Sequence, residues 1–256
     1  MGKHPWRIWL LKSMLTIEKI REFTKKYQTN EHNVIREYVQ HLCLSALYKH
    51  REAGNLLFKG GTALRMIYHS PRFSEDLDFT GRFYHFQDVE KLFLNTLVEV
   101  EQSGIMVELK EAKKTSGGFL GIIEYHLYDH TGTIFFEISL RKPKKKSRES
   151  EVVTIASEFT IPYTVVQLST LDLVSEKVQA VTTRAKPRDY YDLYFILRHN
   201  FLSKLVDKGM FAVILNQLEG KKIDFRKELQ HLLPVSHHRI LKNFSETLEK
   251  EINSYL

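Results

Sequence analysis

The sequence predicts an α/β (α+β) fold in which a mixed sheet core lies between N-terminal helices and a mainly helical C-terminal half. Apolar residues follow helical spacing between residues 16 and 50, and this spacing returns after residue 164. Between residues 55 and 140, short segments alternate polar and apolar side chains as half-buried strands do. The change near residue 165 divides the chain into a core with its N-terminal helices, residues 1–165, and a C-terminal helical domain, residues 166–256.

The first part of the core is predicted to contain two helices, a strand and a third helix. The two helices fill residues 16–50, and Asn30 is a suitable N-cap for the second. A short apolar strand at 55–58 runs into a pair of glycines, and a helix at 62–68 follows them.

The second part of the core is predicted to contain four strands and one helix. The helix covers residues 89–100, and the strands cover residues 76–79, 105–109, 121–128 and 133–140. A hairpin turn at 129–132 joins the last two strands.

The C-terminal part begins after a basic segment at 142–148, which contains proline, lacks apolar periodicity and is predicted to be an exposed loop. Helices are predicted after it at residues 171–184, 189–199, 202–218 and 240–252.

Composition limits the class of protein. With 43% hydrophobic residues over 256 positions, the chain can bury a sizeable core. The single cysteine, Cys43, excludes a disulfide framework and a thiolate zinc site made by this chain alone, and it favours a reducing, cytoplasmic location. Apolar runs are too short to predict a signal peptide or a membrane span. The formal charge of +7 favours polyanionic partners, although a solvated basic surface is an equal alternative.

The paired glycines carry the first chemical signal. Gly60 and Gly61 let the backbone approach a ligand, and the N-terminus of the helix that follows offers free N–H groups suited to phosphate. Thr62 can add a hydroxyl donor. The turn differs from a P-loop, which has lysine and a hydroxyl residue after the second glycine of a longer loop.

Acidic residues follow this turn at strand spacing. Asp76 and Asp78 are two positions apart, so both carboxylates project from one face of the strand. Mg²⁺ or Mn²⁺ would relieve their repulsion and would also bind substrate phosphates. Glu137, between apolar neighbours of a later strand, is a candidate third ligand. The alternative for these acidic residues is a solvated strand face.

Two segments resemble a known family. Gly-Gly-Thr-Ala-Leu-Arg at 60–65 and Arg-Phe-Ser-Glu-Asp-Leu-Asp-Phe at 72–79 are similar to the AbiEii/AbiGii toxins, within the DNA polymerase β-like nucleotidyltransferase superfamily. Segments at 173–180 and 188–193 resemble two further motifs of that family. The resemblance implies a nucleotidyltransferase-like core and a toxin of a toxin–antitoxin or phage-defence system. Such a toxin would transfer a nucleotide from an NTP, in some members to tRNA acceptor ends, and would have a cognate antitoxin.

The resemblance also implies roles for individual residues. The metal ligands would be Asp76, Asp78 and, by a weaker correspondence, Glu137. The triphosphate would be held by Gly60, Gly61, Ser74 and Lys177. Asp192 would have a catalytic or structural role.

Some of these residues have structural alternatives. Lys177 can be a surface lysine paired with Glu176 or Asp172, and Arg188 and Asp192, four positions apart, can form a helix ion pair.

Other polar residues have alternatives as well. Asp189 can stabilise a helix start just after Pro187. His126 and His130 have a metal-like spacing, but they straddle a predicted turn and have no further ligand near them in sequence, so zinc is not predicted.

Two other functions stay open at this point. One is the same chemistry directed at a protein hydroxyl or a small molecule. The other is a nucleotide-binding module that acts through a partner.

Overall fold

The helices and strands confirm the predicted mixed α/β architecture. The computed structural model describes residues 15–83, 85–140, 149–220 and 223–256. The strands are β1 Leu56–Lys59, β2 Asp76–Gly81, β3 Met106–Thr115, β4 Gly118–Leu127, β5 His130–Ser139, β6 Ser150–Ile155 and β7 Tyr163–Leu168. The α-helices in these ranges are α1 Ile17–Lys26, α2 Glu31–Leu47, α3 Gly60–Tyr68, α4 Phe86–Gln102, α5 Thr170–Thr183, α6 Pro187–Arg198, α7 Phe211–Gly220, α8 Phe225–Leu229 and α9 Phe244–Asn253.

The strands form a single mixed sheet of seven strands in the order β3-β4-β5-β2-β1-β7-β6. The pairs β2–β5 and β1–β7 are parallel, and the other neighbours are antiparallel. The two strands beside the glycine turn, β1 and β2, therefore lie at the centre of the sheet, where the backbone is held on both sides.

One face of the sheet is covered by α4. Alternation along β5 buries Phe136 on this face, and its ring centroid lies 5.0 Å from that of Phe93 of α4. Phe119 of β4 packs against the same Phe93 ring at 5.3 Å. Gly121 lacks a side chain where a Cβ atom would meet this ring. The apolar face is thus closed, and the polar side chains of β2 and β5 are left to the opposite face.

Helix α2 is buried over most of its length and contacts both α4 and β5. Its predicted N-cap is confirmed, because the Asn30 side chain accepts a hydrogen bond from the backbone N–H of Asn33 at 2.8 Å.

The predicted start of the helical half needs a correction, because the sequence analysis missed β6 and β7. Residue 165 lies inside β7, which pairs with β1 through Phe58 and Gln167. The pairing of β7 with β1, more than a hundred residues away, leaves no local signal, and the nearby pairing of β6 with β7 is indicated only by runs of β-branched residues. The division of the chain into two domains stays a prediction.

Two predicted C-terminal helices differ from the structure. The predicted helix at 202–218 is wrong in its first half, where 3₁₀ turns at Leu202–Leu205 and Lys208–Met210 precede α7. Asp207 accepts a hydrogen bond from the N–H of Gly209 at 2.9 Å and so competes with helical bonding. The predicted helix at 240–252 begins only at Phe244, after a 3₁₀ segment.

The predicted helices at 171–184 and 189–199 are confirmed as α5 and α6. The basic segment at 142–148 lies outside the described residues. No helix in the described part of the chain has the length and apolar character needed to cross a membrane.

The Tyr48 hydroxyl links the neighbouring strands β1 and β7. It lies 2.8 Å from the carbonyl oxygen of Leu56 and 3.0 Å from that of Val166. We predict that Tyr48→Phe lowers the free energy of unfolding by about 1–3 kcal/mol, because it removes a buried hydroxyl donor that lies between carbonyl groups of two strands. Urea denaturation measures this loss. Tyr194→Phe is the control, since that hydroxyl has no hydrogen bond with the described residues; an equal loss in both variants contradicts the prediction.

Candidate active site

Three carboxylates lie on the open face of the sheet where β2 and β5 meet. The parallel pairing places Asp78 opposite Glu137 and Asp76 opposite Phe135. Because side chains alternate along a strand, Asp76, Asp78 and Glu137 share one face, while the intervening residue of β2 is buried in the core.

Two of the three carboxylates, Asp76 and Glu137, have a raised pKa. Burial, together with repulsion from Asp78 and Glu137, raises the pKa of Asp76 to about 6. Burial and Asp78 also raise the pKa of Glu137. Arg188 opposes both shifts, and its Nη1 lies 4.0 Å from Oδ2 of Asp76. Burial and mutual repulsion thus make ionisation of Asp76 and Glu137 less favourable, while Arg188 makes it more favourable.

The donor set of this face fits a hard divalent cation. Carboxylate oxygens are the ligands that Mg²⁺ and Mn²⁺ prefer, and a cation would relieve the repulsion that raises the pKa of Asp76. The three carboxylates are not gathered tightly, however. Among the described residues, the ligand atoms of only one group lie within 4.8 Å of one another, those of Glu108, Glu124 and His126. The metal assignment stays a prediction.

His126 lies in a cluster with Glu108 and Glu124, contrary to the expectation that no further ligand lies near it. His126 does have acidic neighbours, and its Nε2 lies 3.4 Å from Glu124. Lys110 Nζ, however, lies 2.8 Å from Glu108 and 3.0 Å from Glu124, so both carboxylates already have a cation. His130 pairs with a glutamate of α2 instead. We assign no metal to this cluster.

The glycines are required by the side chains that approach them. Gly60 has φ +81°, and a Cβ atom there would overlap the carboxylate of Asp78. A Cβ atom on Gly61 would overlap Arg72 and come within 2.9 Å of Oγ of Ser74. The turn at the start of α3 therefore brings backbone N–H groups, a carboxylate and a guanidinium into one small volume.

Thr62 is the one predicted site residue that does not face this volume. Its side chain is fully buried, and its hydroxyl donates a hydrogen bond to the backbone carbonyl of Asp76. The hydroxyl is thus already used in holding α3 to β2. The expectation that Thr62 donates to a phosphate is corrected on this ground.

A buried carboxylate joins two cations at the back of the site. Asp192 of α6 is 1% exposed, and Nε of Arg72 and Nζ of Lys177 lie 2.8 and 2.7 Å from its oxygens. Burial alone would raise the pKa of Asp192, but Arg72 and Lys177 lower it to about 2. The carboxylate is therefore ionised and fixes the positions of both cations.

The surface alternative for Lys177 is wrong. The Lys177 side chain is buried and pairs with Asp192, not with Glu176 or Asp172. Glu176 pairs instead with Lys59, at 2.9 Å, across the mouth of the site.

Two structural alternatives concerned residues at the start of α6, and one is wrong while the other is confirmed. Arg188 pairs with Asp76 and Glu228, not with Asp192, so the helix ion pair is wrong. Asp189 accepts a hydrogen bond from the N–H of Lys186 at 3.1 Å, which confirms its role at the helix start.

A cavity of about 600 Å³ connects these groups. All of the predicted site residues except Thr62 line it, and they come from β2, β5, α3, α5, α6 and the segment before β2. Four cations without a predicted role also line the cavity. They are Lys59, Arg72, Arg184 and Lys186. Arg72 lies within the quoted motif, but only its partner, 120 residues later, shows that it belongs to the site.

A glycine turn beside a strand with paired carboxylates, facing a helix-borne lysine across a cavity, defines the protein as nucleotidyltransferase-like. Residues 42–252 match the family described as "Nucleotidyl transferase AbiEii toxin, Type IV TA system". The chain belongs to this family of toxin-type nucleotidyltransferases, as the resemblance at 60–65 and 72–79 predicted. The family implies an NTP substrate and a cognate antitoxin.

Solved structures agree with the fold. JHP933 from Helicobacter pylori is 20% identical, with a TM-score of 0.55 over 89% of this chain and 96% of its own. A candidate nucleotidyltransferase from H. pylori is 19% identical, with a TM-score of 0.53 over 89% of this chain and 99% of its own. At these identities the likeness concerns the fold alone. No curated protein matches the sequence.

The buried ion cluster generates a stability prediction. Asp192→Asn removes the charge that compensates Arg72 and Lys177. We therefore expect the free energy of unfolding to fall by about 3–5 kcal/mol at neutral pH. Because the pKa of Asp192 is lowered to about 2, its stabilising effect holds above pH 4 and is lost as the pH falls toward 2. The difference between wild type and variant should shrink over that range.

Urea denaturation at several pH values measures this difference. Asp129→Asn, in the exposed β4–β5 turn, is the matched control and should change stability by less than about 0.5 kcal/mol. An Asp192→Asn protein as stable as the control would show that the cluster does not support the fold.

Proposed function

We propose that this protein transfers a nucleoside monophosphate from an NTP to RNA, in a reaction that depends on Mg²⁺ or Mn²⁺. The observation that carries the proposal is a single cavity lined by both carboxylates and cations. Asp76, Asp78 and Glu137 line it together with Arg72 and Lys177, and the glycine turn lies against both Asp78 and Arg72.

The glycine turn and the two buried cations are suited to the triphosphate. Backbone N–H groups at the start of α3 donate to phosphate oxygens, and the Ser74 hydroxyl can donate beside them. Lys177 supplies a point charge, and the Arg72 guanidinium adds a second. Because Asp192 holds both cations before substrate arrives, little reorganisation is needed when the triphosphate binds.

Asp76, Asp78 and Glu137 would hold the metal. A bound Mg²⁺ or Mn²⁺ would neutralise charge that develops on the phosphoryl oxygens during transfer. The partial burial of Asp76 would strengthen its interaction with such a cation.

The proposed RNA acceptor agrees with the charge of the protein. The formal net charge is +7, and the segment from the end of α5 to the first turn of α6 presents Arg184, Lys186 and Arg188 to the cavity. Such cations can hold an RNA backbone beside the reacting end. By family resemblance, a tRNA acceptor end is the proposed target, and an antitoxin would neutralise the activity.

The proposal predicts that purified protein labels RNA when it is incubated with each labelled NTP, Mg²⁺ and total cellular RNA. Asp76→Ala and Asp78→Ala should each reduce labelling by at least about a hundredfold, because each removes a charge that supports the transition state. Chelation of the metal should have the same effect. Asp129→Ala, on the exposed turn, should label RNA normally.

Other outcomes distinguish the alternatives. Label in protein or in a small molecule, with none in RNA, would replace the acceptor while keeping the chemistry. NTP binding without transfer to any acceptor would favour a nucleotide-binding module. Full activity in both aspartate variants would contradict the metal-site assignment.

A further inference from the structure

A second cavity, with a volume of about 750 Å³, lies between α6, α9 and the 3₁₀ segment Val235–Asn243. It shares none of its described lining residues with the first cavity. Helix α6 nevertheless contributes to both, since Asp192 lines the first cavity and Tyr191, the residue before it, lines the second. The proposed transfer reaction uses no residue of the second cavity, which is therefore without an assigned role.

The charge of the second cavity is positive. Arg198, Arg239 and Lys242 line it, and none of its described lining residues is acidic. Arg198 has a partner in Glu251, whose carboxylate lies 2.9 Å from Nη1 of the arginine. Arg239 and Lys242 are exposed, and neither forms an ion pair with another described residue. The cavity therefore attracts an anionic ligand.

Aromatic side chains of α6 lie beside these cations. Tyr191, Tyr194 and Phe195 line the second cavity from one face of the helix, at positions i, i+3 and i+4. The hydroxyl of Tyr191 lies 3.0 Å from Nδ1 of His237, so the ring of this buried tyrosine is held in place. Tyr194 is only partly buried, and the guanidinium carbon of Arg198 lies 5.5 Å from its ring centroid. The cavity thus presents ring and guanidinium surfaces on which a planar group can stack.

Cations and stacking surfaces together limit the chemistry of the ligand. A single inorganic phosphate would leave most of a cavity of about 750 Å³ empty. An acidic peptide segment would satisfy the cations and leave the rings without a stacking partner. A nucleotide has a phosphate for the cations and a planar base for the rings, so it uses both features of the lining.

We propose that the second cavity binds a nucleotide unit, either a free nucleotide or one unit of a single-stranded RNA. Its phosphate lies against Arg239 and Lys242, and its base stacks against Tyr194. Because none of the described lining residues is a carboxylate, this binding needs no divalent cation. No bond forms or breaks at this site, and binding there does not require the proposed transfer.

Isothermal titration calorimetry in EDTA tests the proposal, with the four nucleoside monophosphates and a short single-stranded RNA as separate probes. EDTA removes the divalent cation that the first cavity is proposed to bind. We expect Arg239→Ala/Lys242→Ala to weaken binding about tenfold or more, because both phosphate contacts are lost. Lys25→Ala/Lys91→Ala removes the same charge from exposed positions on α1 and α4 that line neither cavity, and this control should bind as wild type does.

Further variants test the stacking and the location. Tyr194→Leu removes the ring and should weaken binding about tenfold or more, whereas Tyr194→Phe keeps the ring and should bind as wild type does. Lys177→Ala changes the first cavity only, so it should leave this binding unchanged.

The two probes distinguish the sources of the nucleotide. Binding of the monophosphates supports a site for free nucleotides, and binding of the RNA alone supports a site for a strand. Binding of neither probe would overturn the proposal, as would equal affinity in wild type and Arg239→Ala/Lys242→Ala. A poly-glutamate peptide that binds as tightly as the nucleotide probes would also overturn it, because charge alone would then account for binding. Failure of the protein to label RNA would reject only the proposed transfer, which takes place in the first cavity.

Discussion

Asp192 accepts hydrogen bonds from Arg72 and Lys177 in a part of the protein from which water is almost excluded. Its carboxylate joins α6 to α5 and to the segment before β2, so one contact links the helical half to the sheet. A buried ion group of this kind adds little stability compared with apolar packing, but loss of one member leaves a buried charge uncompensated. The positions of Arg72 and Lys177 in the site therefore depend on this carboxylate.

The opposite wall of the site depends on strand register. The parallel pairing of β2 with β5 places Asp78 beside Glu137, and a shift of β5 by one residue would turn Glu137 into the core. The packing of α4 on the other face resists such a shift. Carboxylates from two different strands are thus held on one face of the sheet, within the cavity that the cations also line.

Local sequence predicted the parts of the site that lie close together in the chain. The glycine turn and the alternation of Asp76 and Asp78 are short-range patterns with direct physical meaning. Thr62 shows the limit of this reasoning, since a hydroxyl after a glycine turn can bond a phosphate or a neighbouring strand, and only tertiary structure decides. The roles of Arg72 and of β7 depend on partners more than a hundred residues away.

We propose that α5 presents Lys177 to the triphosphate, and the NTP affinity of Lys177→Ala is the measurement that tests this role. We expect NTP affinity and transfer to fall together, by about tenfold or more, and Lys177→Arg to restore them only in part because its planar group changes the contact geometry. RNA affinity measured without NTP should barely change. Loss of RNA binding with normal NTP affinity would instead place Lys177 on the path of the RNA.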